Sequence, residues 1–329
     1  MDIKLIGKTG TKRTDYFLKA AEGLHIPVTF VDWDEVEESV VSSSMIKIDP
    51  PAFQTSNLYE MNGKIETYRQ MIARLSDAGC SFLNAPEGIA KVLDKRTCKQ
   101  ILQENGVPVT WMFPEKIHTV QALMEAMERH RTYSVFIKPI LCSGAAGVTA
   151  FRMVPGSGRM TAYTSCVLQD NELVNTKRLR KLEKPEEVRR LLEAVLSLNC
   201  VVERWQPKAS FQGKSFDLRV VYQFGKIAFM VARQSSGPIT NLHLNNAPLS
   251  WEKLGLSEKV MREIESVCRQ AMEHFPELRM AGIDVLLEKD TLRPYVIEVN
   301  GQGDLMYQDI FNENRIYREQ LEWMAAWEE

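Results

Sequence analysis

GIDVLLEKDTLRPYVIEVN, residues 282–300, is the stretch that decides how the C-terminal part of this chain folds. Two apolar runs flank a charged turn, which is the pattern of a β-hairpin. If the hairpin pairs symmetrically about Thr291, Asp284 lies opposite Glu298. Asn300 then points to the same side as Glu298, because strand side chains alternate between faces. Carboxylates in an apolar strand pair need a cation, and Mg2+ suits such oxygen ligands completed by phosphate and water. The alternative is the solvated polar face of an ordinary hairpin.

A second hairpin precedes this one. FDLRVVYQF and KIAFMVARQ flank Gly225, and the sequence of residues 258–275 predicts an amphipathic helix between the two hairpins. Asp217 and Arg219 share one face of the first strand, and Arg233 ends the second. Arginine suits phosphate and carboxylate groups because its fork donates two parallel hydrogen bonds. For Arg233 a cross-strand salt bridge is an equally good interpretation.

Lys138 ends another apolar strand, in the sequence VFIKPILCSGAAGV. The loop that follows begins with Ser143 and Gly144 and contains only small residues. Such a loop lets backbone N–H groups approach a phosphate closely, and a neighbouring lysine supplies a point charge. Taken alone, the loop is equally compatible with a plain hairpin turn.

Glu203 stands at the exit of the apolar strand in VVERWQPK. A segment of this kind can offer alternating backbone donors and acceptors to a planar base, with Trp205 nearby as an apolar wall. The simpler interpretation is a strand end whose charged residue faces water.

The first ninety residues predict an α/β arrangement. Strand patterns over residues 3–7 and 28–33 enclose a helical pattern over 14–24, and strand, helix, strand implies a parallel sheet. A helix is predicted over residues 57–77, and another begins near Asp94 and ends at Gly106, where glycine permits a left-handed cap.

Composition excludes several classes of protein. The chain has 329 residues, 44% hydrophobic and 26% charged, which is ordinary for a globular protein and long enough for two or three subdomains. Lys plus Arg number 41 and Asp plus Glu 43, so no overall field attracts nucleic acid or an anionic membrane. The six cysteines are scattered and are expected to be reduced thiols, most of them in the core. Without a signal peptide or long apolar run, a cytoplasmic location is expected.

Taken in order, these elements resemble the ATP-grasp superfamily from roughly residue 94 to the C-terminus. The ordered motifs are LDKR with Lys95, FIKP with Lys138, VVERW with Glu203, DLR with Asp217 and Arg219, TNLHL with Asn241, AGID with Asp284, and IEVN with Glu298 and Asn300. The set is most similar to the glutamate-ligase-like branch that modifies ribosomal protein and peptide ends, and more distantly to D-alanine:D-alanine ligase. The first ninety residues resemble a little-characterised bacterial ATP-grasp group.

The resemblance implies an α/β plus α+β architecture. An N-terminal parallel-sheet domain over residues 1–93 would precede two α+β subdomains, over 94–206 and 207–329, that grip a nucleotide between them. Each group of residues then receives an expected role. Phosphate contacts are expected from Lys95 and Lys138, adenine and ribose contacts from Glu203 and Asp217, further nucleotide contacts from Ser143, Gly144, Arg204, Trp205 and Asn241, metal binding from Asp284, Glu298 and Asn300, and stabilisation of developing negative charge from Arg219 and Arg233.

The implied cofactors are ATP and one or two Mg2+ ions, with Mn2+ as a substitute. In the family's reaction a carboxylate attacks the γ-phosphate, and an amine then displaces phosphate from the acyl-phosphate. The implied substrates are a small-molecule or peptide carboxylate and an amine. A kinase acting on a hydroxyl and a non-catalytic ATP-binding partner protein are the alternatives. Phosphoryl transfer needs mainly alignment and neutralised charge, which agrees with these residues.

Two departures bear on the substrate. His243 is followed by Leu244, Asn245 and Asn246 where relatives often have a basic residue and two glycines, and residues 301–304 read GQGD where a serine or proline turn is usual. The acceptor pocket is therefore expected to differ. The C-terminal helix is expected to pack on the protein's own core, although an oligomer contact is compatible with its two tryptophans.

Overall fold

The computed structural model describes residues 2–36, 44–76, 79–244, 246–303 and 314–327. Three β-sheets organise these residues, one of them parallel and two antiparallel. This arrangement confirms the predicted combination of an N-terminal parallel sheet with two later α+β parts.

The N-terminal sheet has four parallel strands in the order β2-β1-β3-β4. Its strands are β1 (Asp2–Gly7), β2 (Val28–Asp32), β3 (Ser44–Ile48) and β4 (Ser81–Phe82), and its helices are α1 (Lys12–Leu24), α2 (Leu58–Leu75) and α3 (Pro86–Leu93). The buried residues of α2 recur every three or four positions, which is the spacing that predicted this helix.

Asp94 separates α3 from α4 (Lys95–Glu104). Its extended backbone, with φ −83° and ψ 103°, ends one helix, and its side chain accepts from Thr97 N at 2.9 Å to cap the next. The helix predicted from Asp94 to Gly106 therefore starts one residue later. This cap places Lys95 in the first turn of α4.

The second sheet is antiparallel, in the order β8-β7-β6-β5-β9. Its strands are β5 (Ser134–Pro139), β6 (Thr149–Met153), β7 (Met160–Gln169), β8 (Glu172–Leu182) and β9 (Cys200–Arg204), with helices α5 (Val120–Arg129) and α6 (Pro185–Leu196). Both helices bury their apolar stripes in the same core as β5 and β9. The predicted hairpin around the small-residue loop is the β5–β6 pair.

The third sheet has the order β13-β12-β11-β14-β15, with β10 paired to β11. Its strands are β10 (Ser210–Phe211), β11 (Lys214–Gln223), β12 (Lys226–Ser235), β13 (Ala247–Ser250), β14 (Met280–Leu287) and β15 (Pro294–Asn300). Helix α7 (Glu258–Glu273) packs on this sheet, and both predicted hairpins are present.

The C-terminal helix α8 (Arg315–Ala325) packs against α1. Trp323 stacks on Phe224 at 5.2 Å, and Tyr317 meets Phe17 edge-on at 5.7 Å between ring centroids. The expectation that this helix packs on the protein's own core is confirmed. Within the part of the chain described, no helix combines the length and apolar character needed to cross a membrane. The domain boundaries at 93/94 and 206/207 stay predictions.

Candidate active site

A cavity of about 670 Å3 is lined by residues of the two antiparallel sheets and their loops, and by loop and helix residues of the N-terminal part. The predicted site residues that line it are Lys95, Lys138, Ser143, Gly144, Glu203, Arg204, Asp217, Arg219, Arg233, Asn241, Asp284, Glu298 and Asn300. Positions more than two hundred residues apart in sequence therefore meet at one place. Trp205 is the predicted residue that does not line this cavity.

The β14–β15 hairpin pairs Asp284 directly with Glu298, as the symmetric pairing predicted. The register shifts by one residue immediately after Asp284, so that Val285 pairs with Val296 and Ile297 is the extra residue of a β-bulge. The symmetric register therefore holds at the cavity end of the hairpin and not near its turn.

Two arginines contact the buried carboxylate of Asp284. Arg219 Nε lies 2.9 Å from Oδ1 and Arg233 Nη2 lies 3.0 Å from Oδ2. The first contact has ion-pair distance without hydrogen-bond geometry, and Oδ1 has no hydrogen-bond donor. A buried carboxylate oxygen without a hydrogen-bond donor costs free energy. Oδ1 is therefore well suited to bind a cation.

The carboxylate of Glu298 is paired with Lys95 at 3.3 Å. Burial alone would raise the pKa of Glu298, but the charges of Lys95, Lys138 and Arg219 outweigh it and lower that pKa. Lys95 also donates to the carbonyl oxygen of Cys142 at 2.5 Å. These charges favour the ionised form of Glu298, which a carboxylate metal ligand needs.

The amide of Asn300 donates to the carbonyl oxygen of Gly282 at 3.1 Å, which leaves the oxygen of that amide as an acceptor. With Asp284 and Glu298 this gives three hard oxygen donors. Among the residues that the structure describes, no three His, Cys, Asp or Glu side chains cluster as a complete metal site. The donor set fits Mg2+, which binds through one or two carboxylates plus substrate phosphates and water.

Asp217 is bound from several sides. Arg233 Nε lies 2.7 Å from Oδ1, Lys208 Nζ lies 3.2 Å from Oδ2, and the hydroxyl of Thr240 also donates to Oδ2. Burial would raise the pKa of Asp217, but Arg233 and Lys208 lower it. Arg233 thus links Asp217 to the metal-ligand candidate Asp284, and the predicted ribose role of Asp217 competes with these contacts.

Glu203 lies in the protein interior, 2% exposed. Lys138 donates to its two oxygens at 2.9 and 3.0 Å, Lys99 Nζ lies 3.4 Å from Oε2, and Thr110 also donates to Oε2. Burial would raise the pKa of Glu203, whereas Lys138 and Lys99 lower it. The simpler interpretation, that Glu203 is a strand-end residue facing water, is therefore wrong.

The backbone after Glu203 is already hydrogen-bonded. Arg204 N donates to Trp111 O at 2.8 Å, and Trp205 N donates to Ser134 O at 3.0 Å. The indole of Trp205 packs on Phe136, with centroids 5.4 Å apart, and lines a separate cavity of about 490 Å3. Trp205 therefore does not form the expected wall of the main cavity.

The small-residue loop contains three residues in the left-handed region of the backbone. Gly144, Ala145 and Gly147 have φ of 63°, 64° and 71°. A Cβ at Gly147 would lie 2.8 Å from Cγ of Pro139, so this glycine is required by close packing. Burial raises the pKa of the neighbouring Cys142 thiol to about 11, which supports a packing role for that residue.

Comparison with solved structures gives the fold. The macrocyclase MdnC from Microcystis aeruginosa, bound with precursor peptide MdnA, has a TM-score of 0.60 at 12% identity, covering 99% of both chains. D-cycloserine synthetase DcsG has a TM-score of 0.63 at 12% identity, covering 98% of this chain and all of its own. The D-alanine–D-alanine ligase of Bacillus anthracis has a TM-score of 0.60 at 12% identity, covering 99% of this chain and 96% of its own. The ATP-grasp ligase PsnB, complexed with precursor peptide PsnA2 and AMPPNP, has a TM-score of 0.58 at 12% identity, covering 98% of both chains. The chain has the ATP-grasp fold.

No protein-family model matches the sequence, and comparison with curated proteins finds no match. The ATP-grasp fold agrees with the fold that the resemblance in the ordered motifs implied. The individual residue roles taken from that resemblance stay predictions.

The residues that the sequence analysis missed include one that lines the cavity, Arg13, and one that lies behind its wall, Lys99. Arg13, in the first turn of α1, lines the ATP-grasp cavity and donates to the carbonyl oxygen of Gln302 at 2.6 Å. Lys99 lies one turn after Lys95 on α4, behind the cavity wall. The i, i+4 spacing of these two lysines places them on one helix face and could have revealed the second.

The two departures from the family pattern are only partly described. Asn245 and Asp304 lie outside the described residues. Leu244 lines the cavity, and the side chain of Asn246 donates to the carbonyl oxygens of Ile239 and Asn241 at 2.9 and 2.8 Å. These bonds hold the segment containing Asn241 against the cavity.

Proposed function

We propose that this ATP-grasp protein is a Mg2+-dependent ligase that activates a carboxylate with ATP and joins it to an amine. One observation carries the proposal. Asp284 and Glu298 face each other in register at the wall of a cavity that also holds Lys95 and Lys138.

The charge of the cavity suits the proposed substrates. Eight basic and four acidic side chains line it. Each of the four carboxylates is within ion-pair distance of at least one lysine or arginine. The remaining positive charge complements a triphosphate together with an anionic carboxylate substrate.

Asp284, Glu298 and Asn300 would hold Mg2+, which neutralises phosphate charge and orients the triphosphate. Lys95 and Lys138 donate to phosphate oxygens. Phosphoryl transfer to the carboxylate then requires that the reacting groups be aligned and their charge neutralised, and it needs no covalent intermediate with the protein.

Arg219 and Arg233 would stabilise the negative charge that develops on the transferred phosphoryl group. Attack by the substrate carboxylate gives an acyl-phosphate and ADP. An amine then attacks the acyl carbon, phosphate leaves, and the nitrogen loses a proton to form the amide.

The structural neighbours bear on the substrate class. MdnC and PsnB were crystallised with precursor peptides, and DcsG and the D-alanine–D-alanine ligase are named for small products. We extend this range to the present chain: the carboxylate and the amine belong to small molecules or peptides, and the reaction takes place in the cytoplasm.

The proposal is tested by measuring ADP release from purified protein with Mg–ATP and a panel of amino acids and short peptides as acids and amines. We expect ADP release that requires both an acid and an amine, with a product mass equal to their condensation. A phosphorylated alcohol without condensation product would establish a kinase instead. Absence of Mg–nucleotide binding would contradict both enzyme proposals.

A further inference from the structure

Lys99 is a buried lysine that the proposed reaction does not use. It lies on α4, is 3% exposed, and its ammonium is 3.4 Å from Oε2 of Glu203. Burying an ammonium is costly unless it is paired and fully hydrogen-bonded. Its position inside the ATP-grasp core therefore calls for a specific reason.

Three further contacts fix the ammonium of Lys99 in place. It donates to Thr110 Oγ1 at 2.9 Å, to the carbonyl oxygen of Ile297 at 2.6 Å, and to that of Val296 at 3.3 Å. The two carbonyls belong to the β-bulge of β15, directly before Glu298. Lys99 is thus bound to the strand that carries a metal-ligand candidate.

Lys138 is held differently. In the described part of the chain, both hydrogen bonds of its ammonium go to Glu203, at 2.9 and 3.0 Å. Lys138 also lines the cavity, whereas Lys99 does not. One carboxylate is therefore shared by a lysine facing the cavity and a lysine anchored behind it.

This arrangement has an energetic consequence. A phosphate that draws Lys138 toward the cavity weakens the hydrogen bonds from Lys138 to Glu203. A buried carboxylate left without a cation is destabilised, which would oppose nucleotide binding. Because Lys99 is anchored by three protein oxygens, it stays with Glu203 when Lys138 turns.

We infer that Lys99 is a positioning residue that keeps Glu203 neutralised and thereby releases Lys138 for the nucleotide phosphates. The inference rests on the proposed function in taking Mg–ATP as the ligand. It gives Glu203 the role of a counter-ion shared by two lysines, in place of the adenine contact expected from sequence.

The test is calorimetric titration with Mg–AMPPNP of the wild type, Lys99→Gln, Glu203→Gln and the double variant. Glutamine keeps a donor for the β15 carbonyls and removes the charge. Lys99→Gln is expected to bind at least about tenfold more weakly, which corresponds to roughly 1.4 kcal/mol. The double variant, which needs no counter-ion, is expected to recover to within about threefold of wild type.

Two outcomes overturn the inference: wild-type affinity in Lys99→Gln, or no recovery in the double variant. If Lys99→Gln does not fold, Glu203→Gln and the double variant are compared. They are expected to agree within about threefold, and a tenfold difference overturns the inference. If the wild type itself binds no Mg–AMPPNP, the proposed function fails with it.

Lys47→Gln is the matched control. Lys47 is also a buried lysine paired with a carboxylate, Asp49, but it does not line the main cavity. We expect its affinity to stay within about threefold of wild type even if its melting temperature falls. An equal loss of affinity in this control would mean that removing any buried lysine has the effect, and the role of Lys99 would be rejected.

Titration with adenosine separates the two roles of Glu203, since an adenine contact predicts weaker adenosine binding in Glu203→Gln.

Discussion

Asp284 lies directly opposite Glu298 on β14 and β15, and the two carboxylates are paired with different cations. Arg219 and Arg233 contact Asp284, whereas Lys95 contacts Glu298. Each carboxylate expected to bind Mg2+ is therefore paired with basic side chains that are expected to contact or neutralise phosphate. Binding of a metal–triphosphate complex would exchange these partners without leaving any charge uncompensated.

Glu298→Gln is expected to abolish ADP release and leave the fold intact. The substitution keeps the shape of the side chain but removes the negative charge needed for a cation ligand. ADP release and thermal melting are measured on the same preparation. Glu265→Gln, on the exposed face of α7, is the control and is expected to retain full activity. Wild-type turnover by Glu298→Gln would refute the metal assignment.

Gly282→Ala is expected to lower turnover by about 100-fold, because small displacements of aligned groups have effects of that size. A Cβ at this position would lie 2.6 Å from Nη1 of Arg219 and 3.0 Å from Cα of Gly303. The end of the Arg219 side chain, whose Nε contacts Asp284, must move, and the backbone at Gly303 must shift by a few tenths of an ångström.

Gly63→Ala provides the matched control for this glycine. Gly63 lies inside α2 and has no atom within 4 Å of the added Cβ. We expect unchanged turnover and a gain of roughly 0.5–1 kcal/mol in the free energy of unfolding. Equal turnover in both alanine variants would show that Arg219 is not positioned by this close approach.

The lowered pKa of Asp217 predicts how the free energy of unfolding depends on pH. Its pKa in the folded protein is lower than in the unfolded chain, where an aspartate titrates near about 3.9. The stabilisation is therefore present above about pH 4 and is lost as pH falls toward the lower, folded-state value. In urea unfolding, Asp217→Asn should be less stable than wild type by about 3–5 kcal/mol at pH 7. That difference should shrink progressively below about pH 4, and a difference independent of pH would contradict the prediction.

Leu321→Ala is expected to reduce the free energy of unfolding by about 2–5 kcal/mol, the usual result of a cavity in a packed core. Leu321, on α8, is fully buried in a core cluster that includes residues of the N-terminal sheet. Urea unfolding measures the effect, and Glu322→Ala, exposed on the same helix, should change it by less than about 0.5 kcal/mol. Equal effects would contradict the role of α8 in the core.

Local patterns predicted much of the fold. The symmetric hairpin placed Asp284 opposite Glu298, because strand pairing depends mainly on alternation and the position of the turn. The start of α4 near Asp94 was predicted from sequence, since a capping aspartate is a local signal.

The contacts between distant segments were not predictable in this way. Lys99 looked like one more charged residue on a helix, and only the packing of α4 on β15 brings it to Glu203. The chain leaves β9 after Arg204, so Trp205 packs outside the main cavity. These outcomes depend on how the sheets are arranged, which no short stretch of sequence encodes.

Formation of an acyl-phosphate distinguishes the proposed ligase from a kinase. Hydroxylamine captures such an intermediate as a hydroxamate, so the acceptor amine need not be known. Purified protein is incubated with Mg–ATP, hydroxylamine and a panel of amino acids and peptides, and hydroxamate and ADP are measured together. We predict equal amounts of both with at least one carboxylate, dependent on Mg2+ and absent in Glu298→Gln. ADP formed without hydroxamate, together with a phosphorylated hydroxyl compound, would contradict the ligase proposal.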